Sequence, residues 1–345
     1  MADGEKDVTE EPITIVAACD EAFAQHLAVM LSSLLDTNRG QKIRIFILSN
    51  IADETFRKIT NIANQGAAEF VHIRIDPERY RHLPRSGFWS DAIYYRLGIG
   101  TLLSKDISRV LYLDCDIVIN ASLVPLWTLN LEGHVLGAVE DKNFSNHTKL
   151  GLPERAPYFN SGVMLIDLAR WRDEAVEAQA MRFLQENVDT ITNPDQCALN
   201  RVLAGQWLAL DEKWNFQTTM FCDYRPPDWL GTIKKERLPD LYAASIIHYS
   251  AQSKPWHYLN DHPLKHLYWK YLGDTPWRGA ALEGKTIKNM SLKHYRTQLP
   301  ALMLMKYTIT RLPRLAAKRF LPKQLQRWIK KTFLRKDPYN LDAKH

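Results

Sequence analysis

The chain has 345 residues, 46% hydrophobic and 24% charged, the balance of a globular protein with a sizeable core. That length fits one large domain or two ordinary ones, and no run reaches the roughly 18–20 uninterrupted apolar residues that would span a bilayer. A net charge of +6 hides an asymmetry: residues 285–336 carry 15 Lys/Arg and no Asp or Glu, which leaves residues 1–284 at −8.

The acidic opening, MADGEKDVTEEP, lacks an apolar stretch and reads as a flexible N-terminus over 1–12 rather than a secretion signal. Residues 13–18 (ITIVAA) read as a short buried strand ending at Cys19-Asp20-Glu21. Phe23, Leu27, Met30, Leu31 and Leu34 then recur at helical spacing. A second strand falls at 43–49, a helix at 53–65 with Asp53 as its cap, and a third strand at 69–75 stopped by Asp76-Pro77. This alternation predicts a parallel sheet with helices on its faces.

Residues 90–103 suit a helix capped by Ser90 or Asp91. RVLYLDCDIVIN follows, an apolar run broken by two aspartates, and reads as a central strand, Val110–Leu113. Two more strands fall at 135–139 and 162–166, and a helix at 172–187. The stretch 205–235, rich in Trp, Asn and Pro, reads as loop, and a last strand lies at 244–249. The four cysteines form no CxxC pair, which argues against a disulfide framework or a zinc site and for a reducing cytosol.

Chemistry concentrates at Asp114-Cys115-Asp116. Two carboxylates at i and i+2, at the mouth of a buried strand, can approach one hard divalent cation, and open α/β sheets bind ligands beyond their strand ends. The same pattern serves haloacid-dehalogenase-type phosphatases, with Asp114 as nucleophile. That alternative needs a later Lys and a further acidic pair, which this sequence does not place well. His248, near the end of its strand, is a candidate third ligand, and imidazole with two carboxylates suits Mn²⁺ better than Mg²⁺. Lys254 stands in a polar turn where it can meet phosphate oxygens. Asn160, in Tyr158-Phe159-Asn160-Ser161-Gly162, suits sugar hydroxyls, and Gly162 permits close backbone approach. Asp195 either caps a helix or, with Gln196, lines a cleft.

In order, RLGIGTLL, VLYLDCDIVI, GAVED, YFNSGVMLIDLARWR, PDQCALN, IIHYS and SKPWH resemble retaining glycosyltransferase family eight over about residues 13–280. That family includes glycogenin and bacterial α-galactosyl- and α-glucosyltransferases of lipopolysaccharide cores. The resemblance implies a GT-A fold: a Rossmann-like mixed sheet flanked by helices over 13–284. It implies a UDP-hexose donor, Mn²⁺ (or Mg²⁺) on Asp114, Asp116 and His248, and Lys254 on phosphate. Ala17, Ala18, Cys19 and Asp20 match the uridine-binding turn, with Cys19 where the family commonly has an acid. Arg96, Asp141, Asn160, Asp195 and Gln196 match positions around the donor sugar. HYSAQSKPW departs from the commoner HYxGxxKPW, with Ala251 or Gln252 in place of glycine.

The basic segment 285–345 stands apart. Within 306–336, Lys and Arg interleave with Leu, Trp, Ile and Phe, as in an amphipathic anchor on an anionic membrane surface. Nucleic-acid binding is the weaker alternative, because a glycolipid acceptor calls for an enzyme at the membrane. The expected location is cytoplasmic, peripheral on the inner face of the cell membrane. A non-catalytic sugar- or nucleic-acid-binding protein would need neither the metal site nor turnover.

Overall fold

The computed structural model describes residues 11–62, 68–84, 90–187, 191, 193–225 and 228–298. Contacts along the backbone group the chain into one unit ending at Glu283 and a second beginning at Gly284. The first opens with β1 (Ile13–Cys19), α1 (Ala24–Thr37), β2 (Ile43–Ser49), α2 (Asp53–Thr60) and β3 (Ala68–Arg74). Asp53 is not the cap of α2. Ala52 holds that position, and Asp53 opens the helix, where its carboxylate pairs with Arg74 and favours the helix dipole.

Ser90 caps the next element, as expected, through its side chain and Ala92 N–H, but Asp91–Gly98 is a 3₁₀ helix rather than an α-helix. Only its last turn, α3 (Ile99–Leu102), becomes α-helical. The 3₁₀ run is buried on every side over Tyr94–Gly98, which places Tyr94, Tyr95 and Arg96 in the interior. β4 (Arg109–Leu113), β5 (Ile117–Ile119), α4 (Val124–Trp127), β6 (Leu136–Glu140) and β7 (Phe159–Asp167) follow. The expected helix at 172–187 is two, α5 (Leu168–Asp173) and α6 (Val176–Glu186), broken where Ala175 takes a left-handed φ of 46°. α7 is Pro194–Val202.

The stretch expected as loop over 205–235 holds β8 (Trp207–Ala209), β9 (Phe216–Gln217), α8 (Thr218–Phe221) and a hairpin of β10 (Cys222–Arg225) and β11 (Asp228–Ile233). Each is too short for a period to show in sequence. α9 (Leu238–Ala243), β12 (Ile246–His248) and α10 (Lys265–Gly273) complete this unit. In the second unit α11 (Ile287–Gln298) is described, and it exposes Ile287 and Met290.

Seven strands form one sheet in the order β3-β2-β1-β4-β7-β6-β8. The sheet is mixed rather than parallel throughout, because β7 runs antiparallel to both β4 and β6. No crossover helix separates β6 from β7, so no parallel return is imposed. Side chains alternate between two apolar layers. Val16, Leu48, Tyr112 and Met164 pack toward α5 to α7, while Ile15, Ile47, Leu111 and Leu165 pack toward α1 and α2. Both faces being covered explains why these strands read as near-continuous apolar runs. A smaller sheet, β5-β12-β9, lies over a third core built from Phe216, Phe221, Tyr249, Trp256 and Tyr268. The four cysteines are buried free thiols, and no described helix is long and apolar enough to cross a membrane.

Candidate active site

Asp114-Cys115-Asp116 is the turn by which the chain leaves the large sheet at β4 and enters the small one at β5. Alternation sends Cys115 into the core, its thiol on Ala18 O at 3.2 Å, and sends both aspartates to the same side. The backbone is pinned at two places: Asp114 N–H donates to Gly162 O at 2.8 Å, and Tyr249 N–H donates to Asp116 O at 3.0 Å. Antiparallel pairing puts His248 opposite Ile117, directly beside Asp116. Asp114, Asp116 and His248 each bring one ligand atom to within 4.8 Å of the other two. The side chains of Asp114 and Asp116 keep 21% and 13% of their surface accessible, so the cluster opens to the outside.

Cationic groups hold this cluster. Arg96 Nη2 lies 2.8 Å from Asp114 Oδ1, and Tyr112 donates its hydroxyl to the same oxygen at 3.0 Å. Lys254 Nζ donates to Asp116 Oδ2 and to Tyr249 O. His248 Nε2 lies 3.3 Å from Asp116 Oδ1. The two carboxyls diverge: burial raises Asp114 against the pull of Arg96, whereas Lys254 and His248 overcome burial and hold Asp116 well below the usual range. Two hard oxygens and one imidazole nitrogen converging on one point fit Mn²⁺ or another divalent cation.

A layer of buried amides adjoins the cluster. Asn160 Nδ2 donates to Gln196 Oε1 at 3.1 Å, and Gln196 Nε2 faces Asp141 Oδ2 at 3.4 Å. Asp141 is the most open of this set, and burial pushes its carboxyl upward. Asp195 does not cap α7, whose N-cap is Asn193; it is buried, accepts Ser161 Oγ at 3.1 Å and forms an ion pair with Arg96, whose Nε lies 3.2 Å away. Arg96 thus ties Asp114 to Asp195 from inside the 3₁₀ helix.

The structure therefore brings Asp114, Asp116, His248, Lys254, Arg96, Asn160, Asp195, Gln196 and Asp141 to one continuous site. The turn at Ala17–Asp20 is different. Ala17 and Cys19 point into the core, burial pushes the Cys19 thiol far up, and only Ala18 and Asp20 reach the surface. Asp20 caps the following 3₁₀ turn through Phe23 N–H at 3.0 Å. Any ligand contact by Cys19 falls to its backbone. Asn215, fully buried behind His248, was not singled out by sequence, because it lies in the stretch read as loop.

Residues 14–260 match the family model described as glycosyl transferase family 8. General stress protein A of Bacillus subtilis is 29% identical over 275 residues, covering 78% of this chain and 96% of that protein. The lipopolysaccharide 1,2-glucosyltransferase of Escherichia coli K12 is also 29% identical over 275 residues, covering 78% of this chain and 80% of its own length. A crystal structure of the galactosyltransferase LgtC with donor and acceptor sugar analogs superposes with a TM-score of 0.67 at 26% identity. That superposition covers 77% of this chain and 99% of LgtC. The phosphatase alternative is not favoured: Asp114 Oδ1 is engaged by Arg96 and Tyr112, and the family that the chain matches is one of glycosyltransferases.

Proposed function

Because the chain belongs to glycosyl transferase family 8 and has its GT-A architecture, we propose that it transfers glucose or galactose from a UDP-sugar to a lipopolysaccharide or related surface glycan, with retention and α-linkage. The observation that carries this reading is the convergence of Asp114, Asp116 and His248 beside the buried amides of Asn160 and Gln196. The first group suits a cation on a diphosphate, the second a sugar ring.

Asp114, Asp116 and His248 would hold Mn²⁺, or Mg²⁺ in its place. When bound, the cation neutralises the diphosphate leaving group. Lys254 adds a second positive charge and is free to turn from Asp116 to phosphate once that carboxylate has another partner. Asn160, Gln196 and Asp141 receive the sugar hydroxyls and orient the anomeric carbon, and the buried floor excludes water. A double displacement needs a free carboxylate beneath that carbon. Asp195 is committed to Arg96 and Ser161, and Asp141 accepts Asn143 N–H on one oxygen and faces Gln196 Nε2 with the other. The acceptor hydroxyl therefore attacks from the face that UDP leaves, and its proton passes to a phosphate oxygen of the departing UDP.

Mn²⁺ with a panel of nucleotide sugars and release of UDP as readout tests this. Asp116→Asn lowers turnover by about 100-fold or more. Phosphate release without affinity for any nucleotide would overturn the assignment.

We further propose that residues 285–345 associate with an anionic membrane surface. The segment 306–336 lies outside the described residues. Support comes from α11, which exposes Ile287 and Met290 in a sequence that carries Lys285, Lys288 and Lys293 and no acidic residue. Deleting residues 285–345 abolishes sedimentation with anionic liposomes and spares UDP release; unchanged sedimentation would sink this reading.

A further inference from the structure

Behind His248 the amide side chains form a chain whose direction is set by the backbone. Two β7 amides are unambiguous donors: Gly162 N–H points to Asn160 Oδ1 at 3.0 Å, and Ser161 N–H points to Gln196 Oε1 at 3.1 Å. The first makes that end of Asn160 an acceptor. Asn215, 2.8 Å away, must therefore present its NH₂ to Asn160. Its carbonyl oxygen is left facing His248 Nδ1 at 2.8 Å. The Asn215 carbonyl then accepts the Nδ1 proton, so Nε2 is the ring nitrogen that faces Asp116 and Asp114 and would turn its lone pair toward a bound cation. The second donor makes the facing end of Gln196 an acceptor for Asn160 NH₂, and its own NH₂ faces Asp141.

We propose that Asn215 is a positioning residue that selects the ligating tautomer of His248 and gives Asn160 Oδ1, already oriented by Gly162 N–H, the second donor that holds the Asn160 amide in place beside Gln196. It has no exposed surface, so its effect on donor or acceptor passes through these neighbours. Its place is fixed by the step before β9, whose pairing puts Gln217 opposite His248. One buried amide thus links the edge that would take the cation to the edge that would take the sugar. This inference rests on the proposed metal-dependent transfer at the same site.

The two halves of the amide separate by substitution. Asn215→Leu removes both bonds. Asn215→Asp keeps an acceptor for His248 but sets an oxygen against Asn160 Oδ1. The probe is Mn²⁺ alone, followed by electron paramagnetic resonance of the free ion, with UDP release and thermal unfolding measured beside it. The leucine variant loses 10- to 100-fold in Mn²⁺ affinity, as roughly expected for a partner behind a metal ligand. The aspartate variant binds Mn²⁺ within about 3-fold of the parent, because a carboxylate holds Nδ1–H as well as an amide does. Its kcat nevertheless falls by about 10-fold or more, because the new oxygen repels Asn160 Oδ1 and displaces the amide proposed to meet the sugar. A structural defect alone would lower affinity and kcat together in both variants, and that result overturns the proposal. So does a leucine variant that binds Mn²⁺ like the parent. His248→Ala is the control. If the parent binds Mn²⁺ no better than this variant, the metal reading itself has failed and the inference falls with it.

Discussion

Gly162 shows how much of the site depends on a missing side chain. A Cβ built there would lie 2.5 Å from His248 Cε1, 2.7 Å from Asp114 Oδ2 and 3.0 Å from Asn160 Oδ1. All three neighbours are held by bonds of their own, so none can give way without moving the site. Gly162→Ala therefore folds with a loss of about 1–3 kcal/mol, the usual cost of overpacking. Thermal unfolding shifts down by several degrees, at roughly 2–4 °C per kcal/mol for a domain of this size. Mn²⁺ affinity drops by about 10-fold or more, because two ligands are pushed apart. Retained affinity in a Mn²⁺ titration would show that the ligands relax together. Sequence marks Gly162 as a point of close approach, but it does not say that two candidate metal ligands do the approaching, since Asp114 and His248 are far from it in the chain.

At the level of elements, the loop after β12 combines a functional role with backbone strain. Ala251 adopts φ of 83°, the left-handed region that L side chains avoid. It stands between His248 and Lys254, two residues of the candidate site. Ala251→Gly relieves about 1–2 kcal/mol of strain. It also frees the unfolded chain by about 0.4–1 kcal/mol, so the net gain is small. Ala251→Val adds a branched side chain at the same φ, destabilises by roughly 2 kcal/mol or more, and raises KM for the donor as Lys254 shifts. Urea unfolding and donor kinetics check both. A valine variant with the parent's stability and KM would mean that the loop tolerates the conformation without strain. This element was legible in sequence, as were β1 to β4, because buried strands and a motif bounded by His and Lys leave local signals. The antiparallel course of β7 was not legible from alternation, since direction is a property of connection and not of period. The 3₁₀ geometry around Arg96 was hidden because its burial pattern mimics an α-helix over two turns. Asn215 was hidden because β8 to β11 are each only two to six residues long.

At the scale of the whole molecule, two buried histidines make folding sensitive to acid. His26 stacks on Trp256 with ring centroids 3.5 Å apart and bonds Tyr268 Oη at 2.7 Å. His262 packs edge-on against Phe221 and Tyr249 and accepts Leu264 N–H on Nδ1 at 3.1 Å. Together they join α1, α10 and the small sheet that carries His248. Burial lowers each to about 3 from an ordinary value of 6.5. Between these values the unfolded chain binds more protons than the folded one, so stability rises with pH there. Their contribution is full above about pH 6.5 and is lost progressively as pH falls toward 3. Urea midpoints measured from pH 7.5 to 4.5 therefore decline, with these two histidines contributing up to about two protons of slope below pH 6 and His257, lowered by burial to about 4, adding to it. His26→Phe keeps the stack on Trp256 and cannot charge. It should reduce that slope by about one proton even though it sacrifices the bond to Tyr268. A flat profile in the parent, or an unchanged slope in the variant, would place the acid sensitivity elsewhere. Because this core supports β12, the same acid range should loosen the small sheet and with it the hold on His248.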